Sequence, residues 1–177
     1  EASPLPILAY HIPSMTGNPI SASTADSICE HPNVVGIKDS GGDLVSSLST
    51  HRRLASDEFR VFQGAAPLVP TSLAAGCPDT MCTVTGLFPD LERRLREAIA
   101  VGDPETVADV SRRICRVVEL FRSEPHTLPV NVRIIARLIG LGELGASGPF
   151  DEPDERHVAE LAHGLDGIGI RSTGDAP

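Results

Sequence analysis

The chain has 177 residues, 41% of them hydrophobic and 22% charged, with a formal net charge of -9, a balance ordinary for a soluble globular protein large enough to hold one sizeable core. An acidic chain without a basic run is a poor match for nucleic acid or for anionic membrane surfaces, and both are excluded as partners. No stretch of about 18 uncharged apolar residues occurs, so no membrane-spanning helix is expected.

In chain order, residues 5–10 (LPILAY) predict a buried strand ending at a His11-Ile12-Pro13 loop. A helical pattern over 23–30 follows, and then a β-branched strand over 33–38 (NVVGIK). After the polar run Asp39-Ser40-Gly41-Gly42-Asp43 come a helix over 43–55, a strand over 59–63 (FRVFQ) and a helix over 67–75. A weaker fourth strand is expected over 80–84 (TMCTV). Strands separated by single helices predict right-handed βαβ units and a parallel sheet. Their continuous apolar character predicts burial on both faces.

Beyond residue 88 the pattern is helical only, over 90–101, 105–121, 131–141 and 154–165, with a Gly-rich stretch at 140–149 and a tail at 171–177 that looks disordered. Asp103 is placed to cap the second of these helices, with Pro104 in its first turn. Four β/α units are too few to close an eight-stranded barrel of about 250 residues, leaving an open α/β sheet or half a barrel. GxGxxG, GxxxxGK(S/T) and GxSxG are all missing, so nucleotide-fold and hydrolase readings lack their motifs. A flavodoxin-like binding module has only the βα alternation in its favour.

Cys29, Cys77, Cys82 and Cys115 form no CxxC pair, and are expected to be buried thiols in a reducing, cytoplasmic compartment. His157 and His163 are six apart and do not share a helix face, so no metal site is expected. The opening Glu1-Ala2-Ser3-Pro4 has no signal pattern, and without a starting Met the chain is expected to be processed or cut from something longer.

Among the 15 basic residues, Lys38 is the sole lysine beside fourteen arginines. It becomes a candidate for chemistry that a permanently protonated guanidinium cannot perform, the alternative being a chance surface lysine. Lys38 ends a hydrophobic strand, at the end of a parallel sheet where active sites assemble. Partial desolvation there favours a nucleophilic amine. Tyr10, the only tyrosine, ends its strand one β/α unit earlier. Neighbouring strands would bring its phenol beside an imine at Lys38, where it can pass protons to and from a carbinolamine oxygen. The alternative is an interface aromatic.

Residues 10–17 (YHIPSMTG) and 33–43 (NVVGIKDSGGD), with 28 residues from Tyr10 to Lys38, resemble the paired signatures of the dihydrodipicolinate synthase/N-acetylneuraminate lyase family. The resemblance implies a (β/α)8 TIM barrel, here only about strands five to eight. Residues 1–89 would form the second half of the catalytic barrel, 90–168 the closing helix and a helical extension, and 169–177 a disordered tail. It implies a class I aldolase in which Lys38 condenses with pyruvate or another 2-oxo acid and Tyr10 relays protons. Thr16 and Gly17 would line the substrate loop, Gly64 would approach the substrate by its backbone, and Met81 would touch pyruvate. No cofactor is implied beyond the covalent imine through Lys38.

Several positions depart from the family pattern. Met15 stands where the synthase branch carries an arginine for the second substrate's carboxylate, a contact an apolar side chain cannot make. Ala66 and Pro67 stand where the sialic-acid lyase branch holds acidic residues, and Pro78, Thr83 and Gly86 alter the last strand's turn. A smaller or less polar aldol partner, such as a 2-keto-3-deoxy sugar acid, fits better. The Gly-Thr-Thr-like loop and strands one to four have no counterpart, so a truncated or split chain is expected, pairing with a missing amino-terminal half or forming a homo-oligomer through exposed strand edges. The alternative is a non-catalytic half-barrel, an assembly partner or remnant.

Overall fold

The computed structural model describes residues 3–142 and 154–170. Two compact units divide the chain, Glu1–Ser111 and Arg112–Pro177. From residue 171 on, the expected tail lies outside the described residues, as does the Gly-rich stretch from residue 143.

In the first unit, β1 (Ile7–His11), β2 (Val34–Asp39) and β3 (Arg60–Gln63) form a parallel sheet in the order β1-β2-β3. Asn33 aligns the first pair: its amide donates to the carbonyls of Ser3 and Leu5, and its own carbonyl accepts from Ile7 N–H. Tyr10 pairs with Lys38 and Lys38 with Phe62; one residue on, His11 pairs with Asp39 and Asp39 with Gln63. Because parallel neighbours in register point the same way, Tyr10, Lys38 and Phe62 share one face and His11, Asp39 and Gln63 the other.

Helices follow each strand. Helix α1 (Pro13–Thr16) is a single turn, and α2 (Ala22–Cys29) starts at Ser21, whose hydroxyl accepts from Thr24 N–H. Helix α3 (Leu44–Leu54) is capped in the same way by Asp43 on Ser46 N–H. Ala25, Ile37, Phe59 and Val61 are buried together, with Ile28 and Leu54 packed around them, so one face of the sheet is closed by helices. The other face is more open, with Tyr10 48% exposed. Burial on both faces, expected from the apolar strands, is therefore not what this unit shows. Gly36 explains how closely β2 and β3 approach: a Cβ there would stand 2.2 Å from the Arg60 carbonyl oxygen.

Two expectations are corrected. The His11-Ile12-Pro13 loop is instead the end of β1 followed by α1, because Pro13 suits a first helical position. The fourth strand reduces to one parallel bridge between Gln63 and Thr80, and residues from Thr83 turn helical in α5 (Thr83–Leu87). Thr85 ends the extended run by capping that helix, its hydroxyl accepting from Cys82 N–H and donating to Cys82 O. The bridge itself is held by Arg60, whose guanidinium grips Asp79 through two nitrogens, and by Gln63 N–H on Asp79 O at 2.9 Å.

Between β3 and the bridge lie a 3-10 turn (Ala66–Leu68) and α4 (Val69–Ala74). Helix α6 (Pro89–Val101) packs on α4 and α5 through Leu91, Leu95 and Ala98. Asp103 caps α7 (Pro104–Phe121) as expected, accepting from the N–H groups of Glu105 and Thr106. The unit boundary falls within α7.

The second unit holds α8 (Leu128–Leu138) packed on α9 (Glu155–Gly167), around Ile134, Ile135, Leu161 and Leu165. Gly164 lies hard against Leu120, where a Cβ would meet Cδ2 at 2.4 Å. Asn131, fully buried, donates its amide to the carbonyls of Phe121 and Ser123 and accepts from His157 Nε2 at 2.7 Å. All four cysteines are free, but only Cys77 is buried, and Cys115 is exposed. Among the described residues no helix is long and apolar enough to cross a membrane.

Candidate active site

Strand register brings the chemistry together. Lys38 sits at the carboxyl end of β2 directly beside Tyr10 on β1, and its Nζ lies 4.2 Å from the centre of the Tyr10 ring. The phenol carries four electrostatic influences. Burial raises its pKa, but hydrogen bonds from the Ser40 and Lys38 side chains and the Lys38 charge together outweigh it, leaving Tyr10 below the ordinary phenol value of 10.0. A phenol so poised gives up its proton more readily beside an amine, which suits proton relay.

Gly64 follows β3 and belongs to the same cluster. A Cβ there would stand 2.2 Å from Ser40 Oγ, 3.0 Å from the Asp39 carbonyl oxygen and 3.1 Å from Lys38 Cε. Its N–H donates to Asp39 O at 2.7 Å, so the chain after β3 folds over the root of the lysine. Only a residue without a side chain leaves that approach open.

The other sequence-predicted residues occupy their own places. Thr16 ends α1, and its hydroxyl donates to the carbonyls of Ile12 and Asn18, bracing the loop after β1. Gly17 closes α1 with φ 65°, a left-handed conformation that glycine adopts without strain, and donates to Pro13 O. Met81 donates its N–H to Gln63 O at 3.0 Å, beside the tip of β3, with its side chain exposed. Thr16, Gly17 and Met81 are thus attached to strand tips, whereas Tyr10, Lys38 and Gly64 are brought into one cluster.

Three residues not singled out from the sequence complete it. Ser40 supplies a second hydroxyl between Tyr10 and Gly64, and its place two residues after Lys38 in the polar run was the available signal. Gln63 is buried beneath Gly64: its amide donates to the hydroxyls of Ser47 and Ser72, and its carbonyl accepts from Ala65 N–H, fixing the turn that carries Gly64. Asp39 is buried one residue past Lys38, where its carboxylate accepts from Gly41 N–H at 2.8 Å and from His11 Nδ1 at 3.0 Å. In the sequence it stood only as the first residue of the polar run after Lys38.

A parallel α/β sheet with one lysine at a strand tip, a phenol in register beside it and a glycine over its side chain defines a site suited to imine chemistry. The dihydrodipicolinate synthetase family matches residues 1–166, and the chain belongs to that family. It is 26% identical over 142 residues to a 4-hydroxy-tetrahydrodipicolinate synthase of an Exiguobacterium strain, covering 80% of this chain and 48% of that protein. Among solved structures it is similar to a dihydrodipicolinate synthase of Bacillus anthracis, with TM-score 0.81 and 23% identity, covering 93% of this chain and 55% of the other. It is also similar to a variant of the 2-keto-3-deoxygluconate aldolase of Sulfolobus solfataricus, with TM-score 0.80 and 20% identity, over 94% of this chain and 55% of the other. These neighbours are TIM-barrel proteins, and the described residues share their α/β fold. The chain spans about half the length of the curated relatives it matches.

Proposed function

We propose that this chain carries the imine-forming half of a class I aldolase or lyase acting on pyruvate or another 2-oxo acid. The observation that carries this reading is the Tyr10–Lys38 register, with the amine 4.2 Å from the phenol ring and Gly64 packed against Lys38 Cε. The uncharged Lys38 amine attacks the keto carbon, and Tyr10 delivers a proton to the oxygen as the carbinolamine forms. The surplus proton on nitrogen returns to the Tyr10 phenolate, which passes it to the carbinolamine hydroxyl, and that oxygen leaves as water to give an iminium ion. When the adjacent carbon–carbon bond breaks, its electron pair moves into the enamine, and the aldol hydroxyl proton passes to a base such as the Tyr10 phenolate. Protonation of the enamine and attack by water then release the 2-oxo acid and restore the amine. No cofactor enters this sequence beyond the covalent link to Lys38.

For the aldehyde portion we favour the smaller partner of a 2-keto-3-deoxy sugar acid. Met15 is 81% exposed on α1 and offers no cation to a second carboxylate. Ala66 is buried in the 3-10 turn and Pro67 offers no donor to sugar hydroxyls. The open sheet face at Tyr10 supports completion of the barrel by an amino-terminal half or a second copy, and equally supports the second reading, a non-catalytic assembly partner. Free thiols, with Cys115 exposed, favour the cytoplasm.

The test is incubation with pyruvate and borohydride, followed by intact mass and peptide mapping. One reduced pyruvate on Lys38 is the expected product. No adduct, even after an amino-terminal half from a relative is supplied, would leave only the assembly reading.

A further inference from the structure

On the face of the sheet opposite Lys38, the three strands end in polar side chains that lie in register: His11, Asp39 and Gln63. Gln63 is satisfied by serines of the helices and by its own turn. Asp39 and His11 instead bind each other. A carboxylate only accepts, so the 3.0 Å contact assigns the hydrogen to His11 Nδ1. His11 Nε2 is buried and has no hydrogen-bond partner among the described residues. Gly41 closes over the imidazole, where a Cβ would meet Cε1 at 2.8 Å, and its N–H shares the same Asp39 oxygen.

We propose that His11 and Asp39 are a positioning pair that locks the tip of β1 to the tip of β2 and so holds Tyr10 against Lys38. Among the described strands β1 is an edge strand, bonded to β2 alone. Its last backbone tie is Ser40 N–H to His11 O at 2.8 Å. Tyr10 itself is half-exposed, so its place beside Lys38 depends on the backbone that carries it. A part-buried hydrogen bond to a carboxylate across the strand tips resists fraying there in a way that an exposed contact cannot. The pair touches no reacting atom; it acts through the residues before it, Tyr10 and Lys38. Its consequence for imine formation rests on the Schiff-base reading, whereas its effect on Tyr10 does not.

The chain has one tyrosine and no tryptophan, so the ultraviolet band of tyrosinate titrates Tyr10 alone. His11→Phe and His11→Gln remove the Nδ1 donor, the first by deleting it and the second by placing its amide where Nε2 stood. Both are expected to bring Tyr10 back toward the ordinary phenol value and to slow trapping of the pyruvate imine roughly ten- to a hundredfold, the scale of a misplacement of about 1 Å. His11→Asn, whose amide nitrogen can stand where Nδ1 stood, is expected to retain the wild-type titration and most of the trapping rate. Circular dichroism identifies any variant that fails to fold; if His11→Phe does, His11→Gln carries the comparison. A folded His11→Phe or His11→Gln with wild-type Tyr10 titration overturns the proposal, as does a His11→Asn that behaves like them. If the wild-type chain traps no pyruvate even with an amino-terminal half supplied, the Schiff-base reading falls and the titration alone judges the pair.

Discussion

Each unit of this protein holds a histidine with one ring nitrogen buried and without a hydrogen bond among the described residues, and the two are held differently. His11 in the first unit donates to a carboxylate, Asp39, at the sheet tip where the chain's one lysine emerges. His157 in the second donates Nε2–H to an amide, Asn131, whose own nitrogen is committed to the carbonyls of Phe121 and Ser123. A carboxylate beside an imidazole holds it by charge at a place where reactive groups are exposed nearby. An amide holds a neutral ring and ties up loose backbone after a helix. The same residue type therefore serves a site in one unit and a fold in the other, and the two should respond to substitution in opposite ways.

The largest expected effect is on the site alone. Lys38→Arg leaves the parallel sheet intact, because a partly exposed cation remains over Tyr10, but guanidinium does not condense with a ketone. Imine trapping with pyruvate should vanish while the melting curve stays put. An adduct retained in that variant would place the chemistry elsewhere. Next comes Tyr10→Phe, which keeps the ring under Lys38 Nζ and removes only the hydroxyl. Loss of a positioned general acid–base typically costs 10²–10⁴-fold. On the proposed lyase reading, turnover should fall on about that scale, with KM changing far less. Unchanged turnover would reduce Tyr10 to a packing residue.

These first two variants rest on what the sequence already displayed. The spacing of Tyr10 and Lys38, each at the end of an apolar run, located both strand tips, and the parallel register then set them side by side. Gly64 was read only through the family resemblance, at the place where the third apolar run ends. The His11–Asp39 pair was not, since it depends on the second face of the sheet and on Gly41 folding back over the ring, neither of which leaves a local pattern. The fourth strand was misread because the β-branched residues Thr83 and Val84 suit a strand, whereas Thr85 caps a helix there. Helices α6, α7 and α9 were legible from their apolar stripes and caps, Asp103 foremost, whereas α8, expected over 131–141, runs from Leu128 to Leu138. Asn131 looked like any polar residue near a helix start, and only the loop it ties down shows why it is buried.

In the second unit the order of effects is reversed, with stability affected and chemistry spared. Asn131→Leu fills a similar volume but leaves the Phe121 and Ser123 carbonyls and the His157 N–H without their partner inside the core. Unsatisfied buried groups of this kind cost about 1–3 kcal/mol each, partly relieved by relaxation, so a loss of about 3 kcal/mol is expected from denaturant unfolding. Imine trapping at Lys38, measured below the unfolding transition, should be unaffected. A stable Asn131→Leu protein would mean that the buried amide does not hold this unit together.

The smallest effect, and the sharpest on the comparison, is the pH dependence of that unit. His157 has its pKa lowered, first by burial and then by His126, whose ring lies 4.7 Å away; Glu160 and Asp154 pull the other way without prevailing. With the folded value below the unfolded one of about 6.5, the unfolded chain binds the extra proton over the interval between them. This contribution to stability is therefore complete above about pH 6.5 and is lost as the pH falls through the folded value. His157→Gln keeps an amide donor near the Nε2 position for Asn131 and removes the titrating ring. Melting of the wild type should fall on mild acidification more steeply than melting of His157→Gln. His126 before α8 and Glu160 and Asp154 at and after the start of α9 face the ring, and equal slopes would show that His157 does not govern the acid response.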